Sequence, residues 1–449
     1  MPVDPQAQAH ERATLAVGLG VPALALLLLA LLPTFPRTPQ ALPWLLVPAG
    51  AAWAFATARA PVPWRWLLGG ACLLRVLAFV AAPQTSDDAL RYVWEALVVL
   101  DGASPYAFAP DAPELAALRA RWPELAASVG HAGTSAAYPP LYQAANVGVV
   151  ALARAFGEAG LVERALAFLR AFSGLCDLGT LLALRALLAA RGVAPGRAVV
   201  WAWSPLAALE FAGAGHMDAL GILLWTAGLA WLERARPALV PLRGALLVAA
   251  AALVKLLPAV SLPFALREAR AGRVRALVGA ALVALVAFAP LLGLAGGLGG
   301  LGRGLSDYGL RWESTSVLYR FVEPPLAWAA GDLADARVLG RGLCALLWVL
   351  LAHSAWRARL DTLRASWTLL AGFLVLSPTL HPWYLAWALP FLACFPSRAW
   401  TWLVAAAPLA YVLLVRWQAE GVWHEPLWLW PLWIGPFLAL GLRERLRRP

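Results

Sequence analysis

Charged side chains are scarce in this sequence of 449 residues: they make up 14% of it, against about 25% in soluble globular domains. Hydrophobic residues account for 61%. This composition excludes a water-soluble array of domains, a disordered chain, a collagen-like fibre and a coiled coil. It predicts an all-α polytopic membrane protein, with about 12 to 14 membrane helices at roughly 20 apolar residues per span.

Cysteine is also scarce, and the four cysteines stand far apart in apolar runs. No Cys-x-x-Cys pair and no Cys/His cluster occurs, which argues against a disulfide framework and a zinc site. The sequence has no P-loop and no Gly-x-Gly-x-x-Gly motif after a strand, so no nucleotide site is expected. The net charge of +11 comes from short basic clusters between apolar runs. This pattern is typical of membrane topology, and we expect no nucleic-acid partner.

Two polar stretches, 83–137 and 297–335, interrupt the apolar runs. Both keep aromatic and apolar residues at helix-like spacing, including an amphipathic segment at 112–129, which favours helices at the membrane surface. Arginine clusters at 267–275 and 357–364 are expected in the cytoplasm. Both polar stretches then become extracytoplasmic loops, and we call them the first and the second loop.

Two apolar runs, 165–190 and 244–266, can be either full spans or broken, re-entrant helices. Simple alternation along the chain makes both of them full spans. Placing the arginines near 191–197 and 234–243 in the cytoplasm instead requires both to be broken. The sequence does not choose between these topologies.

The first loop begins with a rich run of polar side chains, TSDDALRYVWE, at residues 85–95. Ser86 or Asp87 can cap a helix over 87–100, because a side-chain oxygen there can accept a hydrogen bond from an unpaired backbone N–H. In the simplest interpretation, Asp87 and Asp88 only cap this helix and complement its dipole.

The same helix would carry Asp88, Tyr92 and Glu95 on one face, with Arg91 beside them. A carboxylate held next to an arginine at a membrane boundary is a candidate general base. Helical spacing alone does not decide between this catalytic interpretation and simple capping.

Two basic residues lie inside apolar runs, where each charge costs roughly 2.5–3.5 kcal/mol on insertion scales. Lys255 is the only lysine of the chain, and a compact ammonium there can face a lipid phosphate. The alternatives are that it extends to the membrane surface or pairs with a buried acid such as Asp177 or Glu210. Arg75 is expected to be paired, with a partner that the sequence does not identify.

Three further polar or aromatic positions lie at turns next to apolar runs. His216 and Asp218 can form a polar cluster around a substrate head group, or simply a turn. His381 and Tyr384 flank a Pro-Trp pair and can lock the turn in which they lie. Tyr138, just before a diproline, is typical of an aromatic belt at a membrane interface.

The order of these motifs resembles that of the membrane-embedded GT-C glycosyltransferases. More narrowly, the sequence is similar to polyprenol-phosphate-mannose-dependent mannosyltransferases, including the bacterial group related to the catalytic subunit of GPI mannosyltransferase I. The motifs that carry the resemblance are TSDDALRYVWE at 85–95, GASPY at 102–106, AYPPLYQ at 137–143, GHMD at 215–218, KLLP at 255–258 and SPTLHPWYL at 377–385.

The resemblance implies one GT-C-like transmembrane domain over residues 1–449 in the bacterial inner membrane. It also implies an inverting hexosyltransferase that moves a sugar, mannose by resemblance, from a polyprenyl-phosphate donor to a glycan or lipid acceptor. Arabinose, glucose and aminoarabinose are alternative sugars. Two other classes stay open from the sequence: a polytopic transporter or lipid flippase, which also uses intramembrane charges, and a non-catalytic subunit of an envelope assembly.

The residues that match the family's motifs receive roles by the same resemblance. Asp88 matches the catalytic acid of the first loop, and Asp87 is the neighbouring alternative. The family's Asp-x-Asp pattern is not intact, because Ser86 stands where the earlier acid would be, so a divalent cation is an option and not an expectation. The substrate-binding candidates are Arg91, Tyr92, Glu95, Tyr138, His216, Asp218, Lys255, His381 and Tyr384.

Overall fold

The structure is a computed structural model that describes residues 5–31, 42–82, 85–235, 241–269, 271–414, 417, 421, 423 and 425–447. Pro83 at the start of the first loop, Arg236 and Arg270 therefore lie outside the described residues. The described part of the chain consists of helices, turns and a few isolated bridges, one of which pairs Ala103 with Ala295. The prediction of an all-α protein is confirmed.

Five helices within the described ranges are long and apolar enough to cross a membrane. They are Ala9–Leu31, Trp64–Ala81, Leu161–Ala190, Arg273–Gly293 and Leu333–Arg357. Shorter apolar helices accompany them at Leu42–Ala58, Leu242–Ala252, Thr362–Leu376, Pro382–Cys394 and Arg398–Leu414. The protein is therefore an all-α polytopic membrane protein.

The long helices expose apolar side chains over much of their surface. Leu285 and Val286 are 63% and 71% exposed on Arg273–Gly293, and Val349 and Leu350 are exposed on Leu333–Arg357. A contiguous apolar surface of this kind is unfavourable in water. Lipid tails are as apolar as these side chains, so such faces suit a bilayer.

The chain forms two compact units. Unit 1 comprises Met1–Thr85, Gly174–Ala214 and Thr379–Pro449, and unit 2 comprises Ser86–Ser173 and Gly215–Pro378. The continuous helix Leu161–Ala190 contributes residues to both units. The prediction of one transmembrane domain over residues 1–449 stays a prediction.

Unit 1 holds the partner that Arg75 requires. The Nε and Nη2 atoms of Arg75 donate to the two carboxylate oxygens of Asp177, each at 2.8 Å, and both side chains are buried.

The helices and helical turns of unit 1, besides its part of Leu161–Ala190, are Pro5–Gly18, Gly20–Leu31, Leu42–Ala58, Trp64–Ala81, Pro195–Ala198, Val199–Ala202, Pro205–Ala208, Leu209–Gly213, Pro382–Ala388, Leu389–Cys394, Arg398–Ala405, Ala407–Tyr411 and Leu429–Leu446.

Unit 2 holds both predicted loops and most of the candidate site. Its helices and helical turns are Asp88–Leu100, Pro113–Leu115, Ala116–Arg121, Pro123–Ser128, Pro140–Arg154, Asp218–Ala235, Leu242–Ala252, Leu257–Val260, Ser261–Glu268, Arg273–Phe288, Ala289–Gly293, Arg303–Arg311, Tyr319–Ala330, Leu333–Arg357 and Thr362–Leu376.

The two apolar runs with an open topology differ from each other. Leu161–Ala190 is one continuous helix of 30 residues, which is a full span by length. The run 244–266 is broken, because the helix Leu242–Ala252 ends before a turn and a 3₁₀ segment that contains Pro258. Proline has no backbone N–H and its ring clashes with the preceding helical turn, so a break close to this residue is expected.

The glycine-rich run at 291–304 packs closely against the first loop. A Cβ atom on Gly304 would lie 2.2 Å from the carbonyl oxygen of Ser135, which only glycine avoids. The backbone N–H of Ser104 also donates to the carbonyl of Ala295 at 2.9 Å. The run is thus close-packed backbone that joins the two loops within unit 2.

Candidate active site in unit 2

The helix Asp88–Leu100, here called the acidic helix, forms where the sequence predicts it. Of the two residues predicted to cap this helix, Ser86 makes the capping contact. Its Oγ accepts a hydrogen bond from the backbone N–H of Asp88 at 3.3 Å. The side chain of Asp87 makes no capping hydrogen bond. The helix ends before Gly102, whose φ of 85° is one that glycine adopts without strain.

Asp88 lies on the first turn of this helix with its side chain 28% exposed. The Tyr92 hydroxyl, one turn later, donates to Oδ2 of Asp88 at 3.4 Å. The Nδ1 atom of His216 is 3.7 Å from the same oxygen and 3.3 Å from the Tyr92 hydroxyl. Tyr92, predicted on the same helix face, and His216, predicted beside Asp218, therefore meet at the Asp88 carboxylate.

A glycine-dependent turn brings His216 to this position. Gly215 has φ of 84° and packs against Arg170, so a side chain there would be strained and crowded. His216 is buried, and its Nε2 lies 3.2 Å from Oγ of Ser86. Ser86 thus contacts both the start of the acidic helix and the histidine ring.

The same turn carries the acid that pairs with the only lysine. Lys255 Nζ donates to Oδ1 of Asp218 at 2.6 Å. The side chain of Asp218 is fully buried and that of Lys255 is 24% exposed. Lys255 therefore pairs with a buried acid, and that acid is Asp218. Asp177 pairs with Arg75 instead. The contact of Lys255 with a lipid phosphate stays a prediction.

The other acid considered for Lys255 is engaged in unit 1. Glu210 is buried, accepts a hydrogen bond from the Thr85 hydroxyl at 2.9 Å and another from Tyr411. A π-helical turn, Leu209–Gly213, carries this glutamate. Neither of the partners that the sequence suggested for Lys255 is thus the one it has.

The helix break positions Lys255 through its backbone. The carbonyl of Leu253 accepts hydrogen bonds from the backbone N–H groups of Leu141 and Tyr142 at 3.1 and 3.2 Å. These donors belong to the first turn of Pro140–Arg154, where N–H groups have no partner within the helix. The N-terminal turn of Pro140–Arg154 therefore supplies the hydrogen-bond donors for the Leu253 carbonyl at the helix break.

Burial raises the pKa of Asp88 to about 6. His216 lowers this pKa, Asp87 and Asp218 raise it, and Arg91 lowers it, each by a smaller amount than burial. A carboxylate with such a pKa is a stronger base than an exposed one and is still mostly ionised at pH 7. The carboxylate is thus suited to accept a proton.

Three tyrosines pack beside this carboxylate. Tyr138 and Tyr142 stack with ring centroids 4.0 Å apart, and Tyr92 meets Tyr142 edge to face at 5.2 Å. The Tyr106 hydroxyl donates to the Tyr138 carbonyl at 2.7 Å. Tyr138 is thus part of an aromatic cluster in unit 2, and its contact with substrate stays a prediction.

Arg91 and Glu95 make contacts that hold the first loop together. Arg91 Nε donates to Glu95 at 2.8 Å, and its Nη1 donates to the carbonyl of Gly130 at 3.2 Å. Gln143 donates to the second carboxylate oxygen of Glu95 at 2.6 Å. These bonds join the acidic helix to the end of the first loop and to the helix Pro140–Arg154. A substrate role for Arg91 or Glu95 stays a prediction.

Asp87, the residue before Asp88, is exposed. A Cβ atom on Gly130 would lie 2.1 Å from its carboxylate, so glycine at that position allows the close approach. The described residues contain no group of three or more His, Cys, Asp or Glu side chains that could hold a metal ion.

His381 and Tyr384 belong to unit 1. The His381 ring stacks on Trp383 with centroids 4.4 Å apart and meets Tyr384 edge to face at 5.4 Å. His381 directly precedes the helical segment Pro382–Ala388. These contacts agree with a locked turn, and a role on the donor side stays a prediction.

Two contributors to the site are not among the residues predicted from the sequence. Ser86, predicted as a helix cap, also contacts His216, and Tyr142 packs against Tyr92. The spacing of Tyr138 and Tyr142, four residues apart across a diproline, was the available signal, because such residues share one face of a starting helix.

An all-α membrane protein with a partly exposed carboxylate of raised pKa in a polar loop has the features of a membrane glycosyltransferase. Residues 13–270 match the MptA_B family, described as alpha-(1->6)-mannopyranosyltransferase, N-terminal domain. This match covers more than half of the chain, and the protein belongs to that family. It is a GT-C-like mannosyltransferase, as the resemblance predicts. No curated protein and no solved structure matches the chain.

Proposed function

We propose that this mannosyltransferase uses a polyprenyl-phosphate mannose donor and acts on the extracytoplasmic face of the bacterial inner membrane. Its acceptor is a glycan or lipid, and the bond formed is α-(1→6), as the family description suggests. Asp88 is the general base. The family match favours this function over the transporter or lipid flippase considered from the sequence.

One observation carries the catalytic assignment. Asp88 combines partial exposure, a pKa raised to about 6 and contacts with Tyr92 and His216. A general base works best when its pKa lies close to the operating pH and its carboxylate is held in one orientation. The segment that carries it lies inside the part of the chain that matches the family.

The proposed reaction is a single displacement with inversion. Asp88 takes the proton of the acceptor hydroxyl as that oxygen bonds to the anomeric carbon of mannose. The bond from this carbon to the phosphate oxygen breaks, and its electron pair leaves on the lipid phosphate. An α product formed by inversion requires a donor in which mannose is β-linked to the phosphate.

Lys255 stabilises the departing phosphate in this proposal. Its ammonium carries a fixed positive charge next to developing negative charge, which lowers the barrier most strongly where water is scarce. Asp218, at 2.6 Å, holds the ammonium in place at the helix break. Tyr92 and His216 orient the base through the contacts described above.

The test uses purified protein with labelled polyprenyl-phosphate mannose and a mannoside acceptor. Asp88→Asn should lower transfer by about 10²- to 10⁴-fold, the usual contribution of a general base. Asp87→Asn is the matched control, because this exposed neighbour raises the pKa of Asp88 by less than burial does. Transfer that survives Asp88→Asn, or disappears equally with Asp87→Asn, contradicts the assignment.

The same assay identifies the donor. Polyprenyl-phosphate derivatives of mannose, glucose, arabinose and aminoarabinose are offered in parallel, with a nucleotide-linked mannose as a further arm. We expect transfer from the lipid-linked mannose alone. Equal or better use of a nucleotide-linked sugar would refute the proposed donor class.

A further inference from the structure

Two aromatic side chains of the second loop lie against the first loop. Tyr308 and Trp312, on and just after the helix Arg303–Arg311, have ring centroids 5.4 Å apart. The Trp312 ring lies 4.5 Å from the ring of His131 in the first loop. Tyr308 and Trp312 are partly exposed and His131 is exposed. We call these three residues the aromatic platform.

The platform borders the Asp88 site. Arg91, on the acidic helix, donates from Nη1 to the carbonyl of His131 at 3.3 Å. The imidazole of His131 is also within electrostatic range of Asp87 and Arg91. On the other side, Tyr308 is within electrostatic range of Tyr138 in the tyrosine cluster. The platform thus borders the site through the hydrogen bond between Arg91 and His131.

A network of ion pairs holds the platform in place. Arg341 Nη2 donates to the Trp312 carbonyl at 3.2 Å and to the adjacent Glu313 carboxylate at 2.9 Å. Arg337 lies 3.2 Å from the same carboxylate. Both arginines belong to the long helix Leu333–Arg357. The backbone that carries Trp312 is therefore held before any ligand arrives, which reduces the entropy cost of binding.

The backbone of His131 is strained in a way that fits a binding site. Its φ of 53° is rare for a residue with a side chain, and only three other non-glycine residues in the described ranges share a positive φ. Such strain persists only where surrounding contacts maintain it, and it is frequent at ligand-binding sites. The strained backbone turns the imidazole toward Trp312.

We propose that the aromatic platform binds a pyranose ring of the acceptor glycan, next to the unit whose hydroxyl reaches Asp88. This inference rests on the proposed function and adds the location of the acceptor. A pyranose has an apolar C–H face and hydroxyls around its rim. Its C–H face packs on an aromatic ring while its hydroxyls remain in water. A polar loop that carries partly exposed aromatic rings on an anchored backbone offers this combination.

The experiment measures acceptor binding and transfer separately. Saturation-transfer NMR with an α-linked mannotriose reports binding to the detergent-solubilised full chain, and initial rates report KM and kcat. Trp312→Ala should raise the KM for mannotriose about five- to tenfold. The KM for the lipid-linked donor and kcat should stay unchanged. Trp312→Phe should restore most of the binding, because it keeps an aromatic face.

The matched control is Trp328→Ala, which removes a tryptophan of the same loop that is 89% exposed and lies outside the platform. Mannotriose binding should be unaffected. If both variants weaken binding and membrane reconstitution equally, the rings are interfacial anchors and the proposal fails. Unchanged mannotriose binding by Trp312→Ala also overturns it. Tyr308→Ala is the second platform variant if Trp312→Ala does not fold.

The outcome is independent of the catalytic assignment. Asp88→Asn should bind mannotriose as the unmodified protein does and fail to transfer mannose. An active Asp88→Asn variant combined with weak binding by Trp312→Ala would remove the base and leave the platform standing. An inactive Asp88→Asn variant combined with normal binding by Trp312→Ala would do the reverse.

Discussion

Two ion pairs inside apolar segments have the same combination of charges and different surroundings. In unit 1, Arg75 engages both carboxylate oxygens of Asp177 and also donates to the carbonyls of Trp201 and Ala202, with its side chain 4% exposed. In unit 2, Lys255 pairs with Asp218 at one oxygen and keeps 24% of its side chain exposed.

The difference indicates what each pair does. A guanidinium with four hydrogen bonds to protein oxygens and almost no exposed surface can only stabilise packing, since a ligand cannot reach it. An ammonium at a helix break with part of its surface exposed can approach a charged ligand without losing its partner. Three predictions test this comparison.

The largest expected effect is a loss of stability when the buried Arg75–Asp177 pair is broken. Arg75→Met leaves the Asp177 carboxylate buried without its cation, which should destabilise the protein by about 3–5 kcal/mol. Thermal unfolding in detergent measures this loss. Arg75→Met combined with Asp177→Asn removes both charges and should recover stability and transfer together. A double variant that folds but has no activity would show that this pair also serves the reaction.

A smaller effect is expected on the partly exposed pair. Lys255→Met combined with Asp218→Asn should recover folding, because no buried charge is left alone. Transfer should nevertheless stay about 10²- to 10³-fold low, the usual cost of removing one stabilising group from a developing anion. The loss should depend on donor concentration more than on acceptor concentration. Full transfer by this double variant would make the two pairs equivalent and remove Lys255 from the mechanism.

The smallest effect is a shift in pH dependence. Asp88 must be ionised to accept a proton, so kcat/KM should fall as the pH drops through about 6. The carboxylate of Asp218 raises this pKa. Asp218→Asn should therefore move the acid limb of the profile to lower pH, by less than about one unit.

The buried Arg75–Asp177 pair supplies the control for this measurement of pH dependence. The double variant Arg75→Met with Asp177→Asn should leave the acid limb where it is, because the charges that shift the pKa of Asp88 most are those of His216, Asp87, Asp218 and Arg91. An acid limb that stays in place with Asp218→Asn, or that moves with the control, would contradict the electrostatic role of Asp218.

Local patterns in the sequence were sufficient for the secondary structure around the site. The predicted helix over 87–100 is observed as Asp88–Leu100, because a capping serine, helical periodicity and a terminal Asp-Gly are local signals. The amphipathic segment 112–129 is observed as three short helical pieces, the last of which starts at Pro123. The break there follows from the restricted backbone around proline.

Partners far apart in the chain could not be predicted in the same way. The sequence indicated that Lys255 and Arg75 need acidic partners, and it suggested Asp177 or Glu210 for Lys255. Packing decided otherwise: Asp177 pairs with Arg75, and the lysine pairs with Asp218. The cost of a buried charge requires some partner, but it does not say which acid the helices bring near.

The amino-acid sequence by itself determined that this is a membrane protein of helices, that a helix led by two aspartates follows the first apolar runs, and that its family is that of mannosyltransferases. Only the tertiary structure decided that His216, 124 residues after Tyr92, lies at the same carboxylate, and that Trp312 packs on His131. Periodicity assigns a residue to a face of its own helix, whereas the packing of helices decides which face it meets.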